Sequence, residues 1–195
     1  MELLTALESS FDHVNAIVTR IRPEQFDART PCDQWTVREL AGHALEVLTN
    51  MGRAARGEPA VWGASTPEPL AATFRERTAA TLVAWRQRGV DGLVDVGPQP
   101  IPVTVAQTIN LIDTTTHSWD IAVATGQDPE IPEDLAAMVL ATAQAFVTDE
   151  LRARVGFGPP IAVDSDASST DRLVAFLGRE PAQATRPDGC SPATT

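Results

Sequence analysis

The chain has 195 residues, 43% of them hydrophobic, which is enough for one compact domain with a sizeable core. Its formal net charge is -11, and all 15 basic residues are arginine. That excludes a phosphate-tracking nucleic-acid surface and every lysine chemistry: Schiff bases, pyridoxal phosphate anchoring, phosphate-loop lysines and Ser-Lys dyads. There is no bilayer-length apolar run and no signal-peptide pattern after Met1, so a soluble cytoplasmic protein is expected, with no membrane partner. Cys32 and Cys190 stand apart as isolated thiols, which suits a reducing compartment.

Taken in chain order, helical periodicity dominates. Leu3, Leu7, Phe11, Val14, Val18 and Ile21 recur at helical spacing until Pro23 closes the first helix. Thr36 and Glu39 form a capping-box signal for a second helix, with Trp35 placed to staple onto Leu40. Val37, Leu40, Ala44, Val47 and Met51 make its apolar stripe. A Gly, Pro and Trp loop follows, then a third helix with Leu70, Phe74, Leu82 and Trp85 inward and Gly89 as its stop. Residues 91–102 read as a loop carrying a short extended hairpin near Val94–Val96 and Ile101–Val103. Thr104 and Gln107 signal another capping box, opening a long fourth helix with a core stripe of Val105, Ile109, Ile112, Thr116, Trp119 and Val123. Gly126 ends it. Pro132 starts a fifth helix running to about Gly156, with Glu150, Arg152 and Arg154 on its solvated face. A short helix spans about Thr170 to Leu177. Residues 181–195 lack apolar periodicity and read as a disordered tail. The expectation is an all-α, up-and-down four-helix bundle over residues 1–180, with an extra short C-terminal helix.

The chemistry concentrates on the fourth helix. Asn110, Asp113, His117 and Asp120 form a short-chained polar stripe beside the core stripe. Asp113 and His117 are four residues apart, hence stacked on one helical face within reach of a shared divalent ion. His43, one turn from Leu40 and Val47, falls on the inward side of the second helix. Two histidines and a carboxylate from facing helices make a three-ligand metal set with positions left open for chemistry. Asp120 is placed to orient His117 through its other ring nitrogen. The plainer readings are a surface pair for Asp113 and His117, worth about 0.2–0.5 kcal/mol, a hydrogen-bonded core histidine at 43, and an exposed acid at 120. His13 reads as a solvated structural histidine. Cys32 sits in a turn where a small apolar residue serves as well, so a nucleophilic role is the lesser reading.

These same residues carry a resemblance. Thr30-Pro31-Cys32-Asp33-Gln34-Trp35-Thr36-Val37-Arg38-Glu39-Leu40-Ala41-Gly42-His43 resembles the early helix of the DinB-like superfamily, within it the metal-binding domain of mycothiol-dependent maleylpyruvate isomerases and their small actinobacterial relatives. His117-Ser118-Trp119-Asp120-Ile121-Ala122, within the segment Asp113–Gly126, is similar to the later metal helix of that family, and the likeness covers roughly residues 1–180. It implies a DinB-like bundle holding a divalent metal, zinc first and nickel or another ion as alternatives, through His43, Asp113 and His117. Asp replaces the family's Glu at 113, so the helices must sit closer or the affinity drops. The isomerase resembled carries a further C-terminal domain not expected here, so its substrate does not transfer.

The function this implies is a metal-dependent enzyme using a small thiol such as mycothiol, in isomerase or S-transferase chemistry on a small electrophile, with Arg38 drawing in an anionic substrate. The rival is a non-catalytic metal-binding stress or interaction protein, and a bundle whose site has decayed is a third reading. A polar-lined cavity beside the metal favours the enzyme. A self-complementary apolar outer face favours a homodimeric binding module.

Overall fold

A computed structural model of the chain describes residues 1–32, 35–63, 68–97, 99–155 and 157–181. The expected tail over residues 181–195 lies, but for Pro181, outside the described residues.

Four long helices form the body: α1 (Leu3–Thr19), α2 (Val37–Ala55), α3 (Leu70–Arg88) and α4 (Val103–Ala124). α1 packs on α3 and α4, and α2 packs on the same two, so the four close into a ring with α1 and α2 on opposite sides. This is the all-α four-helix bundle the periodicity predicts. Every residue of the expected α2 stripe is buried, from Val37 to Met51. α2 starts where the sequence says it does: the Thr36 hydroxyl accepts from the Glu39 amide, and the Glu39 carboxylate accepts from the Thr36 amide. α2 and α3 approach closely at Gly52, where an added Cβ would lie 2.4 Å from Thr81 Oγ1. Gly89 stops α3 as expected.

Between α3 and α4, β1 (Leu93–Val94) pairs antiparallel with β2 (Ile101–Pro102), the hairpin placed almost as the sequence indicates. The Thr104–Gln107 capping box does not form. α4 begins two residues earlier, after Pro102, with no side-chain cap, and the Gln107 amide instead donates to the Gly89 carbonyl. Val105, Ile109 and Val123 are half-buried, while Ala106, Asn110, His117 and Asp120 are buried. α4 is therefore sunk into the bundle on nearly every side, and its polar stripe is interior rather than solvated.

The long fifth helix expected from Pro132 to Gly156 is two helices, α5 (Glu133–Phe146) and α6 (Asp149–Val155). Val147 leaves the helical region at φ -88°, ψ 94°, and the Thr148 hydroxyl accepts from the Leu151 amide to restart it. Two β-branched residues in succession favour that break. Arg152 is buried rather than solvated, donating to the carbonyls of Gly158 and Phe176. α7 (Ser169–Phe176) packs on α5. After it Gly178, at φ 80°, turns the chain so tightly that an added Cβ would meet Gly158 Cα at 2.5 Å. Only glycine accommodates both that dihedral and that approach, and the turn delivers Arg179 into the interior.

Candidate metal centre

α2 and α4 bring His43, Asp113 and His117 together. The Nε2 atoms of His43 and His117 each lie 3.5 Å from Asp113 Oδ1. One ligand atom from each of the three residues falls within 4.8 Å of the other two. A spacing of 3.5 Å is long for an N–H···O hydrogen bond. It is close to the edge, about 3.3–3.4 Å, of a tetrahedron of N and O ligands about 2.0–2.1 Å from a zinc-sized ion. Asp113 Oδ2 is buried and has no hydrogen-bond partner among the described residues, an orphaned anionic oxygen that a cation would satisfy. The donor set therefore fits a divalent ion, and the shorter Asp at 113 reaches both imidazoles.

The other face of His117 fixes its tautomer. Its Nδ1 lies 3.0 Å from Asp120 Oδ2, and Asp120 is completely buried. Arg179 donates to both oxygens of the same carboxylate, from Nε at 3.2 Å and Nη2 at 3.0 Å, and from Nη1 to the Leu177 carbonyl at 3.1 Å. Burial alone would raise the Asp120 carboxyl, but the His117 hydrogen bond and the Arg179 charge outweigh it and hold it below its ordinary value. Arg179 behaves in mirror image: burial opposes its charge, and Asp120 more than restores it. An ionised Asp120 only accepts, so His117 Nδ1 carries the proton and Nε2 presents its lone pair toward Asp113. Both Asp120 oxygens are thus engaged, which leaves the neighbouring grouping of Cys32, His117 and Asp120 without an open acid for an ion.

A cavity of about 370 Å³ opens onto the three clustered side chains. α4 contributes Ile109, Ile112 and Thr116 to its wall, the α5–α6 break contributes Phe146, Val147 and Leu151, and Phe157 and Arg179 close the far side. Cys32 and Trp35 line it from the turn before α2. The Trp35 ring lies 4.4 Å from that of His43, so the residue expected to staple the helix also walls the site. Arg38 is absent from the lining: it is exposed, over the Phe26 ring and 3.8 Å from Glu68, so it is not the site's cation. That guanidinium is Arg179, which no local pattern marked, because it meets Asp120 across 59 residues of chain. Asn110, in the same stripe, accepts from the Trp85 indole and is a core partner rather than part of the site. His13 is half-buried rather than solvated, and burial lowers its pKa, with the Asp128 charge acting in opposition.

Fold and clustered side chains together define a DinB-like helical bundle. The chain belongs to the mycothiol maleylpyruvate isomerase N-terminal domain family, which residues 7–122 match. Two relatives from Mycobacterium tuberculosis, in strains CDC 1551 / Oshkosh and ATCC 25618 / H37Rv, are each described as an uncharacterized protein. Each is 30% identical over 190 residues, spanning 92% of this chain and 98% of the relative. Among solved structures, a mycothiol-dependent maleylpyruvate isomerase superposes with a TM-score of 0.58 at 17% identity, covering 79% of this chain and 72% of that one. A histidine-to-alanine variant of such an isomerase gives 0.57 at 18% identity over the same shares. At that identity the likeness establishes the shared fold. No helix among the described residues is long and apolar enough to cross a membrane.

Proposed function

We propose that His43, Asp113 and His117 hold one divalent metal ion, zinc first, and that the chain is a thiol-dependent isomerase or S-transferase acting on a small electrophile. The observation that carries the reading is the cavity: a space of about 370 Å³ bordered by the three candidate ligands, as a substrate requires and a purely structural ion does not. Membership of the isomerase domain family supports a thiol cosubstrate, with mycothiol as the named candidate.

A divalent ion at this position supplies one thing, a lowered pKa for a bound thiol and so a thiolate near neutral pH. The chain's own groups do the rest. Asp120 keeps the Nδ1 proton on His117, Arg179 keeps Asp120 ionised and in place, and Trp35 packs on His43. Phe146, Val147, Leu151 and Phe157 wall the cavity with apolar surface, which excludes water from a thiolate and strengthens the electrostatics there. In transfer, the sulfur bonds the electrophilic carbon and the leaving group takes the electron pair. In isomerisation, the thiol adds and departs unchanged.

The test is cobalt substitution followed by mycothiol. A new sulfur-to-cobalt absorption band is expected, lost in His117→Ala. A spectrum unmoved by thiol removes the thiol-dependent part of the reading.

A further inference from the structure

Thr116 lines the cavity, and the metal reading leaves its state unexplained. It is 1% exposed, and its hydroxyl has no hydrogen-bond partner among the described residues. Other helical threonines in this fold return their hydroxyls to the carbonyl four residues earlier: Thr49 to Leu45 at 2.7 Å, Thr78 to Phe74 at 2.9 Å, Thr142 to Met138 at 2.8 Å. That arrangement is open to any helical threonine. Thr116 forgoes it while lining the cavity, three residues after Asp113 and therefore on the same face of α4. A buried hydroxyl left unmade is costly and calls for a partner from outside the chain.

The charges around the cavity restrict what that partner can be. Among the described residues Arg179 is the one arginine in the lining, and its Nε, Nη1 and Nη2 already donate to Asp120 and Leu177. Asp113 and Asp120 together outweigh it by one negative charge. A divalent ion would bring the sum to +1, and a thiolate on that ion would return it to zero. No surplus positive charge remains for a dicarboxylate such as the maleylpyruvate of the neighbouring enzyme's name. Beside Cys32 and Trp35, the remaining walls are apolar, from Ile109 and Ile112 on α4 to Phe146, Val147, Leu151 and Phe157.

We infer that the electrophile this site takes is a largely apolar, uncharged molecule with one hydrogen-bond acceptor, and that the Thr116 hydroxyl orients that acceptor beside Asp113. This rests on the thiol-dependent reading above for the word electrophile, while the binding preference stands on the cavity alone. The acceptor is a carbonyl oxygen or its equivalent, because a hydroxyl donor reads oxygen lone pairs. The apolar body fills the Phe146–Phe157 side. Thr116 is thus a specificity-determining residue rather than part of the metal set.

The experiment is calorimetric binding of three probes to the full chain, with and without added zinc. Benzylacetone carries one carbonyl on an apolar body, butylbenzene is the same shape without it, and maleate is a small dicarboxylate. Benzylacetone binds the wild type, and Thr116→Val weakens it by roughly three- to tenfold, the worth of one neutral hydrogen bond. Butylbenzene binds wild type and variant alike, and maleate displaces neither. Thr116→Val is expected to be at least as stable as wild type, since it removes an unpaired buried hydroxyl. Equal benzylacetone affinity in both proteins overturns the role of Thr116, and displacement by maleate overturns the substrate class. Zinc content measured on the same samples separates these outcomes from a failure of the metal reading.

Discussion

Replacing Arg179 by methionine removes three hydrogen bonds at 3.0–3.2 Å and leaves a fully buried Asp120 carboxylate with His117 as its remaining partner. Hydrogen bonds to charged groups are worth about 1.5–3 kcal/mol each, but they do not add when one orphaned charge dominates the loss. Stranding one member of a buried ion pair costs about 3–5 kcal/mol, and that is the loss expected for Arg179→Met. For a chain of this length it corresponds to a fall in Tm of roughly 6–20 °C. Urea unfolding followed by circular dichroism measures it directly, with the slope m unchanged if only stability has moved. The companion variant Asp120→Leu with Arg179→Met replaces both charges by apolar groups and recovers much of the loss. A single variant within about 0.5 kcal/mol of wild type, the range of an ordinary surface change, would refute the buried pairing. So would a double variant less stable than the single.

Asp120→Asn keeps the shape of the side chain but weakens its hold on the His117 tautomer, and zinc affinity should fall by about 10- to 100-fold. Competition with a chromophoric chelator reads this, and an unchanged affinity contradicts the orienting role. His13 titrates lower in the folded chain than its ordinary 6.5 because burial opposes its charge. The unfolded chain therefore takes up a proton that the folded chain refuses, so stability is full above the unfolded pKa and declines as pH falls through the folded one. His13→Gln should flatten that decline between about pH 7 and 5, judged by unfolding free energy against wild type. Gly52→Ala places a methyl group against Thr81 and should cost about 1–3 kcal/mol, with much of it restored by adding Thr81→Ala. No recovery in the double variant rules out that contact as the cause.

Features set by short-range geometry were legible in the sequence. The Thr36–Glu39 box, the α2 stripe, the Gly89 stop and the position of the hairpin all depend on neighbours within a turn or two. The convergence of His43 with Asp113 and His117 was legible because each lies on a face that the apolar pattern fixes. Three features were not. The Thr104–Gln107 signal lost to a helix start after Pro102, with Gln107 drawn to Gly89 by tertiary contact. The break at Val147 carries no glycine or proline to announce it, yet it supplies part of the cavity wall. Arg179 carries no local signal of a role in the site, and only the folded return of the chain at Gly178 reveals its partner. For Gln107 and Arg179 the deciding interaction lies far along the chain, where periodicity is silent.

The central claim is tested most directly by titrating the metal-stripped chain, made without a histidine tag, with zinc. One tight equivalent is expected for the wild type, and none for His43→Ala or His117→Ala. Either a wild type that takes up no zinc, or variants that retain a full equivalent, would contradict the shared ion on which the account depends.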